Sequence, residues 1–498
     1  MPGDRPRVIV LVVDGLRPDA ITFEDAPALA KLRSEGVEFT NSHSVVPTVT
    51  RVNAATLVTG CQPGTHGIVG NEMYVPAVEP ARAFSTQDYR RLVRLDEVTG
   101  GRLTFVPTLA ERLRARGLRM AAISSGSTGS AWLLNPRAVS GVGALINGYF
   151  DPAKTVAYPP ALSEAILARF GPAPPKTGAR YDAAVAWMQR VLRDHVLPAL
   201  EPDVVFAWLT EPDHSQHALG IGSAPAREAI RHADREVAAL LETLVPLGLS
   251  NSVNVIVASD HGFTVNTAGI DVVGELVGAG LKAARDSDDV ILASSGQAVG
   301  LHVRGRDAER ITRIVRFAQS REWGGVLFTA GRARGDAEGA IAGTFSLELV
   351  HAANAERAPD IMLTFPWTSA DRGSGLRGTD LANVAAGGTP YASDHGSMSP
   401  WNVRNTLLAW GPHFKTQTRV RTPAGNVDVT PTILALLGLP MDGLDGRVLE
   451  EALGDGPDPE RVEVETRTHV TAVGEYRAAI QLSTVAGRRY VDKSWRIR

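Results

Sequence analysis

Six side chains with metal-ligand chemistry stand at intervals along the 498-residue chain: Asp14, Asp213, His217, Asp260, His261 and His395. Carboxylates and neutral imidazoles are hard-to-borderline donors, suited to Zn2+ and less often to Mn2+. Three of each make two sets of three. That is enough for two divalent ions, each keeping an open position, the arrangement used for in-line displacement at phosphorus. A nucleophile is at hand in Pro47-Thr48-Val49-Thr50-Arg51-Val52-Asn53. There an extended, Pro-containing segment feeds a short helix, so a hydroxyl at the junction lies beside unpaired backbone N–H groups that favour an anion. A threonine hydroxyl is a weak nucleophile until a metal or a base activates it. Spacing alone leaves Thr48 and Thr50 both open.

Each piece has a plainer reading by itself. Asp14-Gly15 is a turn, Asp213 and His217 a helix cap and a solvated imidazole, and the threonines are caps. The combination is what stands out. Three acidic pieces follow three apolar runs in order, and Asp-His-Gly occurs twice, at 260–262 and 394–396.

The elements that must position these groups follow from periodicity. Val8–Val13 is an unbroken β-branched run, as in a central strand covered on both faces. Met120–Ile123, Val204–Leu209, Val253–Ala258 and Thr406–Trp410 read the same way. Helical patterns lie between them at Ala28–Ser34, Thr108–Arg116, Asp182–Val196 and Ala226–Leu244, the last with Ile230, Ala233, Val237, Leu240, Leu241 and Leu244 on one face. Strands alternating with helices predict an α/β fold, a doubly wound, mostly parallel sheet with helices on both faces. In such sheets ligands bind beyond the carboxyl ends of the strands, where Asp14, Asp213 and Asp260 fall.

Two regions break the rhythm. Asn71–Phe105 reads as a lid or crossover. Residues 265–390 read as an inserted α+β subdomain, with a strand near Gln297–Val303, a helix Ala308–Ser320, and strands near Val326–Thr329, Phe345–Val350 and Asp360–Phe365. The catalytic domain is then 1–264 with 391–450, including a helix Pro431–Leu437. A C-terminal tail, 451–498, is β-rich.

Composition bounds the rest. The chain is 44% hydrophobic, 21% charged and 6% aromatic, which fits a globular protein and excludes a disordered one. A formal net charge of −3 argues against a nucleic-acid polymer as partner. The single cysteine, Cys61, excludes internal disulfides and cysteine-rich metal sites. No stretch approaches the ~20 apolar residues of a membrane span. The start at Met1, polar to Arg7, lacks a secretory leader, so the expected location is cytoplasmic. The oligomeric state is left open.

Together the pieces resemble the alkaline phosphatase superfamily, and within it the type I phosphodiesterase/nucleotide pyrophosphatase family. The matching motifs are Val13-Asp14-Gly15, Pro47–Asn53, Thr59-Gly60-Cys61-Gln62-Pro63-Gly64-Thr65-His66-Gly67-Ile68, Pro212-Asp213-His214-Ser215-Gln216-His217, Asp260-His261-Gly262, His395-Gly396, Gly411-Pro412-His413-Phe414-Lys415 and Asp428-Val429-Thr430-Pro431-Thr432-Ile433-Leu434. The resemblance implies one zinc held by Asp14, Asp260 and His261, with Thr50 as further ligand and nucleophile. It implies a second zinc on Asp213, His217 and His395, and Asn53 as amide donor to a phosphoryl oxygen. The implied reaction is hydrolysis of a small-molecule phosphate diester, such as a nucleotide, through a phosphothreonine intermediate. His66 and Asn71 match family positions and are read as shaping their loops, and His214 and Asp394 as partners of the ligands.

Departures bear on the substrate. Arg51-Val52 stands where the family often has aromatic-Pro, and Gln216 where a glycine usually precedes the metal histidine. Phosphonoacetate hydrolases and threonine-dependent phosphomonoesterases, the alternatives in the superfamily, carry Lys or Arg after the strand matched by Met120–Ile123. Here the loop is Ser124-Ser125-Gly126-Ser127-Thr128-Gly129-Ser130, without a cation. A monoester dianion would forgo charge-assisted hydrogen bonds of ~1.5–3 kcal/mol each, which favours the diester. Cys61, followed by Gln62-Pro63-Gly64, lacks the sulfatase pattern. An inactive metal-binding interaction protein on the same fold would betray itself by a missing ligand or nucleophile, and none is missing.

Overall fold

A computed structural model describes residues 5–497; Met1–Asp4 and Arg498 lie outside the described residues, and with them most of the polar start noted above. The central sheet has nine strands: β1 (Arg7–Val13), β2 (Val37–Phe39), β3 (Met120–Ser124), β4 (Ala144–Asp151), β5 (Thr155–Tyr158), β6 (Val204–Leu209), β7 (Val253–Ala258), β8 (Leu407–Trp410) and β9 (Thr418–Val420). Their spatial order is β9-β2-β8-β7-β1-β6-β3-β4-β5. Only β8 and β5 run against the rest.

The β-branched run of β1 serves two cores at once. Val8, Val10 and Val12 face one, with Ala54, Leu57 and Val58 of the helix Thr50–Thr59. Ile9, Leu11 and Val13 face the other, with Val237, Leu240 and Leu244 of the helix Ala224–Leu244. Alternate side chains of a strand point to opposite faces, so a strand covered twice shows no polar alternation. The sheet is doubly wound.

Register decides where the polar residues emerge. Val13 pairs with Leu209 and Val12 with Ala258, so β1, β6 and β7 end level with one another. Asp14, Thr210 and Asp260 therefore leave the sheet along one carboxyl edge.

Beyond this sheet, Val290–Ser295, Ala298–Val303, Ile361–Thr364, Leu327–Thr329 and Phe345–Ser346 form a five-stranded sheet backed by the helix Ala308–Ser320. Thr368–Asp371, Arg377–Asn383, Thr264–Ile270 and Ser393–Asp394 form a four-stranded one. The strand expected over Phe345–Val350 stops after two residues, because the Ser346 side chain accepts from Glu348 N and starts a tight helical turn at Leu347–Val350. The stretch 71–105 is more ordered than a lid, with a small hairpin, Glu72–Met73 against Phe84–Ser85, and a helix Tyr89–Val98.

The tail is a three-stranded antiparallel meander, Glu465–Val473, Tyr476–Val485 and Arg488–Ile497. Its Ala478, Ile480 and Leu482 share a core with Val299, Leu301 and Phe328. Val485 and Tyr490 pack on Val49 and Val52, directly behind the start of the helix Thr50–Thr59. Among the described residues no helix is long and apolar enough to cross a membrane.

Candidate functional site

The six metal-ligand candidates converge on that carboxyl edge. Asp14, Asp260 and His261 each offer a ligand atom within 4.8 Å of the others, and Asp213, His217 and His395 do the same. The sets adjoin: His261 Nε2 lies 3.9 Å from Asp213 Oδ1, and the His261 and His395 rings face each other at 3.5 Å. Thr50 is the first residue of its helix, and its Oγ1 lies 3.3 Å from His261 Nε2. Thr48 is engaged elsewhere. Its hydroxyl donates to Ser397 O (2.8 Å) and accepts from Gly396 N (3.1 Å), fully buried. A cavity of about 440 Å³ opens over the site, lined by Thr50 and not by Thr48.

Local structure orients each donor. Trp208 Nε1, from β6, donates to Asp14 Oδ2 at 2.9 Å, and Gly15 N donates to Asp260 Oδ1 at 3.0 Å. Gly15 has a φ of +67°, and a Cβ there would meet Phe263 at 2.7 Å, so this turn requires glycine. Gln216, unusual in its motif, donates to Gly15 O at 3.0 Å and ties the helix Asp213–Leu219 to the end of β1.

Each histidine turns the same ring nitrogen away from the site. Nδ1 of His217 donates to Ser393 O (3.1 Å), that of His261 to Gly262 O (3.0 Å) and that of His395 to Thr48 O (2.9 Å). A ring that gives its proton at Nδ1 keeps its lone pair at Nε2, which is how metal-ligating imidazoles are oriented.

The electrostatics are those of a charged centre short of counterions. Burial, with the neighbouring carboxylates Asp213 and Asp260, pushes Asp14 well above the usual carboxylate range, and burial raises Asp213 to about 8. Burial alone would raise Asp260 too, but the adjacent His261 holds it below its ordinary value, and His261 is raised in return. His217 falls to about 3, and His395 well below its ordinary value, through burial and the proximity of His261, so both are neutral at pH 7. Asp14 Oδ1, Asp213 Oδ1 and Asp260 Oδ2 are buried without a hydrogen-bond partner. Three orphaned carboxylate oxygens beside three inward imidazole nitrogens is a donor set that two divalent cations satisfy.

Asn53 is a correction. It is fully buried on the core side of its helix, where its Nδ2 donates to Val49 O (3.1 Å) and its Oδ1 accepts from Val45 N (3.1 Å) and Asn426 Nδ2 (2.9 Å). Its amide bonds within the protein on both sides, and it does not line the cavity. Asn71 does. Its Oδ1 accepts from Arg51 N at 3.2 Å, which fixes the side chain at the start of the helix beside Thr50. Asn71 was assigned above to loop shaping. His66 does shape its loop, bonding Thr56 Oγ1 (2.9 Å) and Ile68 N (3.1 Å) away from the centre.

A cation reaches the loop from elsewhere in the chain. The loop 124–130 has no cation of its own, but Lys176, from a distant proline-rich segment, donates from Nζ to Gly126 O at 2.8 Å and lines the cavity. Arg51 lines it as well, its Nε buried without a hydrogen-bond partner. His214 stacks on Tyr181 at 3.6 Å at the rim, and Asp394 accepts from His395 N at 2.8 Å.

The pattern that defines the family "Type I phosphodiesterase / nucleotide pyrophosphatase" matches residues 8–368. Among curated proteins, the chain is 27% identical over 262 residues to rat (Rattus norvegicus) ectonucleotide pyrophosphatase/phosphodiesterase family member 1, a match covering 52% of this chain and 24% of the relative. It is 28% identical over 266 residues to the venom phosphodiesterase of Naja atra, covering 52% and 26%. It is 26% identical over 269 residues to mouse (Mus musculus) ectonucleotide pyrophosphatase/phosphodiesterase family member 3, covering 52% and 25%. The chain thus spans about a quarter of the length of these relatives.

Proposed function

The chain belongs to the type I phosphodiesterase/nucleotide pyrophosphatase family, and from that premise we propose that it is a two-zinc hydrolase of phosphate diesters acting through a phosphothreonine at Thr50. Asp14, Asp260, His261 and Thr50 would hold one ion, and Asp213, His217 and His395 the other. Bound there, the ions supply Lewis acidity and offset the charge that builds on the reacting oxygens.

The protein groups do the rest. Thr50 Oγ1 sits at a helix N-terminus, where the dipole favours an anion, and 3.3 Å from His261 Nε2. The hydroxyl gives up its proton to solvent, and its oxygen forms the new bond to phosphorus while the bond to the leaving oxygen breaks, the leaving oxygen taking the electron pair. Asn71 Nδ2 donates to a non-bridging phosphoryl oxygen as charge accumulates there, with its orientation set by Arg51 N on Oδ1. Water then attacks phosphorus from the vacated side and releases a proton to solvent, and the Thr50 oxygen leaves with the electrons of the P–O bond and takes up a proton, restoring the hydroxyl.

The observation that carries this reading is the set of three buried, unpartnered carboxylate oxygens beside Thr50. The test is turnover of the p-nitrophenyl ester of thymidine 5′-monophosphate against p-nitrophenyl phosphate by the zinc-loaded protein. A diester preference is expected, and a monoester preference refutes the diesterase reading. Lys176 beside the loop 124–130 favours the second reading, a phosphonate or monoester hydrolase of the same superfamily, and the same comparison separates the two.

A further inference from the structure

The C-terminal meander takes no part in the proposed chemistry, yet its last strand meets the main domain through buried polar groups as well as apolar ones. In that strand, Arg488–Ile497, Tyr490 pairs with Ser483 and Val491 with Leu482, but the next residue to pair is Lys493, with Gln481. Asp492 is therefore the extra residue of a β-bulge, a device that re-aims a side chain. Its carboxylate accepts from Ser483 Oγ (2.8 Å) and Gln481 Nε2 (3.2 Å) and lies 3.0 Å from His43 Nε2. Nδ1 of the same ring is 2.9 Å from Ala424 O.

That contact fastens the tail to a girdle of the main domain. Ser42–His43 pairs in parallel with Ala424–Gly425, and the tight turn Asn426–Asp428 follows. Tyr490, 3% exposed, reaches the turn itself: its hydroxyl donates to Asp428 Oδ2 at 2.9 Å and accepts from Arg447 Nε at 3.2 Å. Asp428 Oδ2 also accepts from Gly425 N at 2.9 Å, and Oδ1 from Arg447 N at 2.8 Å. A carboxylate held on both oxygens fixes the turn, and the turn presents Asn426. The fully buried amide of Asn426 donates to Asp260 O and to Asn53 Oδ1, both at 2.9 Å. Its oxygen accepts from Asn405 Nδ2 at 2.8 Å, and Asn405 also donates to Ser259 O. Two buried amides thus grip the main chain at Ser259 and Asp260, and the tail stands behind one of them. In such a dry network each hydrogen bond is strong and a lost partner is felt by its neighbours.

We propose that Tyr490 is a positioning residue for the metal ligand Asp260, acting through Asp428 and Asn426, so that the C-terminal tail is part of the support of the metal centre. This rests on the two-metal reading above, in which Asp260 is a ligand. Gly15 N aims the Asp260 carboxylate from one side. The line from Tyr490 fixes the main chain from which that carboxylate springs, and it starts from a segment beyond residues 8–368, which carry the family pattern. Outer partners of this kind set the orientation of a ligand and with it the affinity for the metal.

A matched control lies in the same tail. Tyr476, 4% exposed, donates its hydroxyl to Gly325 O at 2.8 Å, on the face that packs against the five-stranded sheet. Tyr490→Phe and Tyr476→Phe each delete one buried hydroxyl and keep the ring, so a tail that only stabilises the fold predicts the same outcome for both. Zinc affinity of the full chain is measured by chelator competition, below the melt of either variant. Tyr490→Phe should hold zinc about threefold or more weakly than Tyr476→Phe, and a smaller difference overturns the proposal. In the Asn426→Ala background, Tyr490→Phe should cost less than about half of what it costs alone, because both act on one line; a larger added loss overturns the route through Asn426. Amide hydrogen exchange over Ser259–Gly262 in the metal-free chain reads the same support without metal or substrate. It should be faster in Tyr490→Phe than in Tyr476→Phe, and equal rates overturn the proposal. A wild type that binds no zinc sinks the two-metal reading, and exchange then decides the role of Tyr490 alone. Zinc held equally by the two variants sinks the role of Tyr490 and leaves the two-metal reading standing.

Discussion

Replacing Asn71 and Asn53 by alanine separates two amides, one three residues after Thr50 in sequence and one far beyond it. The Asn71 side chain makes one protein hydrogen bond, accepting from Arg51 N at 3.2 Å, and Asn71 lines the cavity. Losing one donor to a developing oxyanion costs about 2.7–4 kcal/mol of transition-state stabilisation, a fall of about 10²–10³ in kcat. Asn71→Ala should show that fall with nearly unchanged melting. Asn71→Asp, which keeps the acceptor for Arg51 N and removes the donor, should lose at least as much. Asn53→Ala should behave in the opposite way. It strands two buried donors, Val45 N and Asn426 Nδ2, at about 1–3 kcal/mol each, so the variant melts several degrees lower while the folded fraction keeps kcat within a few-fold. The assay is kcat on the p-nitrophenyl ester of thymidine 5′-monophosphate beside a thermal melt. Wild-type kcat in Asn71→Ala, with a collapse of kcat and no loss of stability in Asn53→Ala, would refute the assignment.

Thr50→Ala should abolish turnover while elemental analysis finds the metal content retained; full activity would return the nucleophile to Thr48 or to water. Trp208→Phe removes the 2.9 Å donor that holds Asp14, so zinc affinity should fall 10- to 100-fold in a chelator competition, and unchanged affinity would show that Asp14 needs no such orientation. Lys176 has its pKa pulled down to about 7 by burial, against the pull of Asp14 and Glu211. The penalty for burying its charge is complete below pH 7 and fades as pH rises through 7 towards the unfolded value of about 10.4. The metal-free Lys176→Met variant should accordingly be more stable than wild type at pH 6–7, with the gap closing by pH 10, and a pH-independent gap would contradict the buried position of the ammonium.

The central strands were legible because burial on both faces leaves an unbroken β-branched signature, and the acidic residues at the ends of β1 and β7 are where the register aligns them. The edges of the sheet were not. Ala144–Asp151 and Thr155–Tyr158 mix Gly, Asn, Asp and Tyr, so neither apolar runs nor clean alternation mark them. The helix expected over Asp182–Val196 continues as a wider helical turn to Leu200 despite Pro198. The ligand set could be read because each member sits at a strand end or in a short motif. Asn53 misled because three residues after Thr50 is nearly one turn along the same helix, and that turn faces the core. Asn71 and Lys176 reach the cavity from segments far along the chain from Thr50, which no local spacing encodes.

The most direct measurement is anomalous diffraction at the zinc edge from crystals grown with zinc. Two peaks are expected per chain, one bonded by Asp14, Asp260 and His261 with Thr50 beside it, the other by Asp213, His217 and His395. A single peak, or peaks bonded by other side chains, would contradict the two-metal centre on which the proposed chemistry depends.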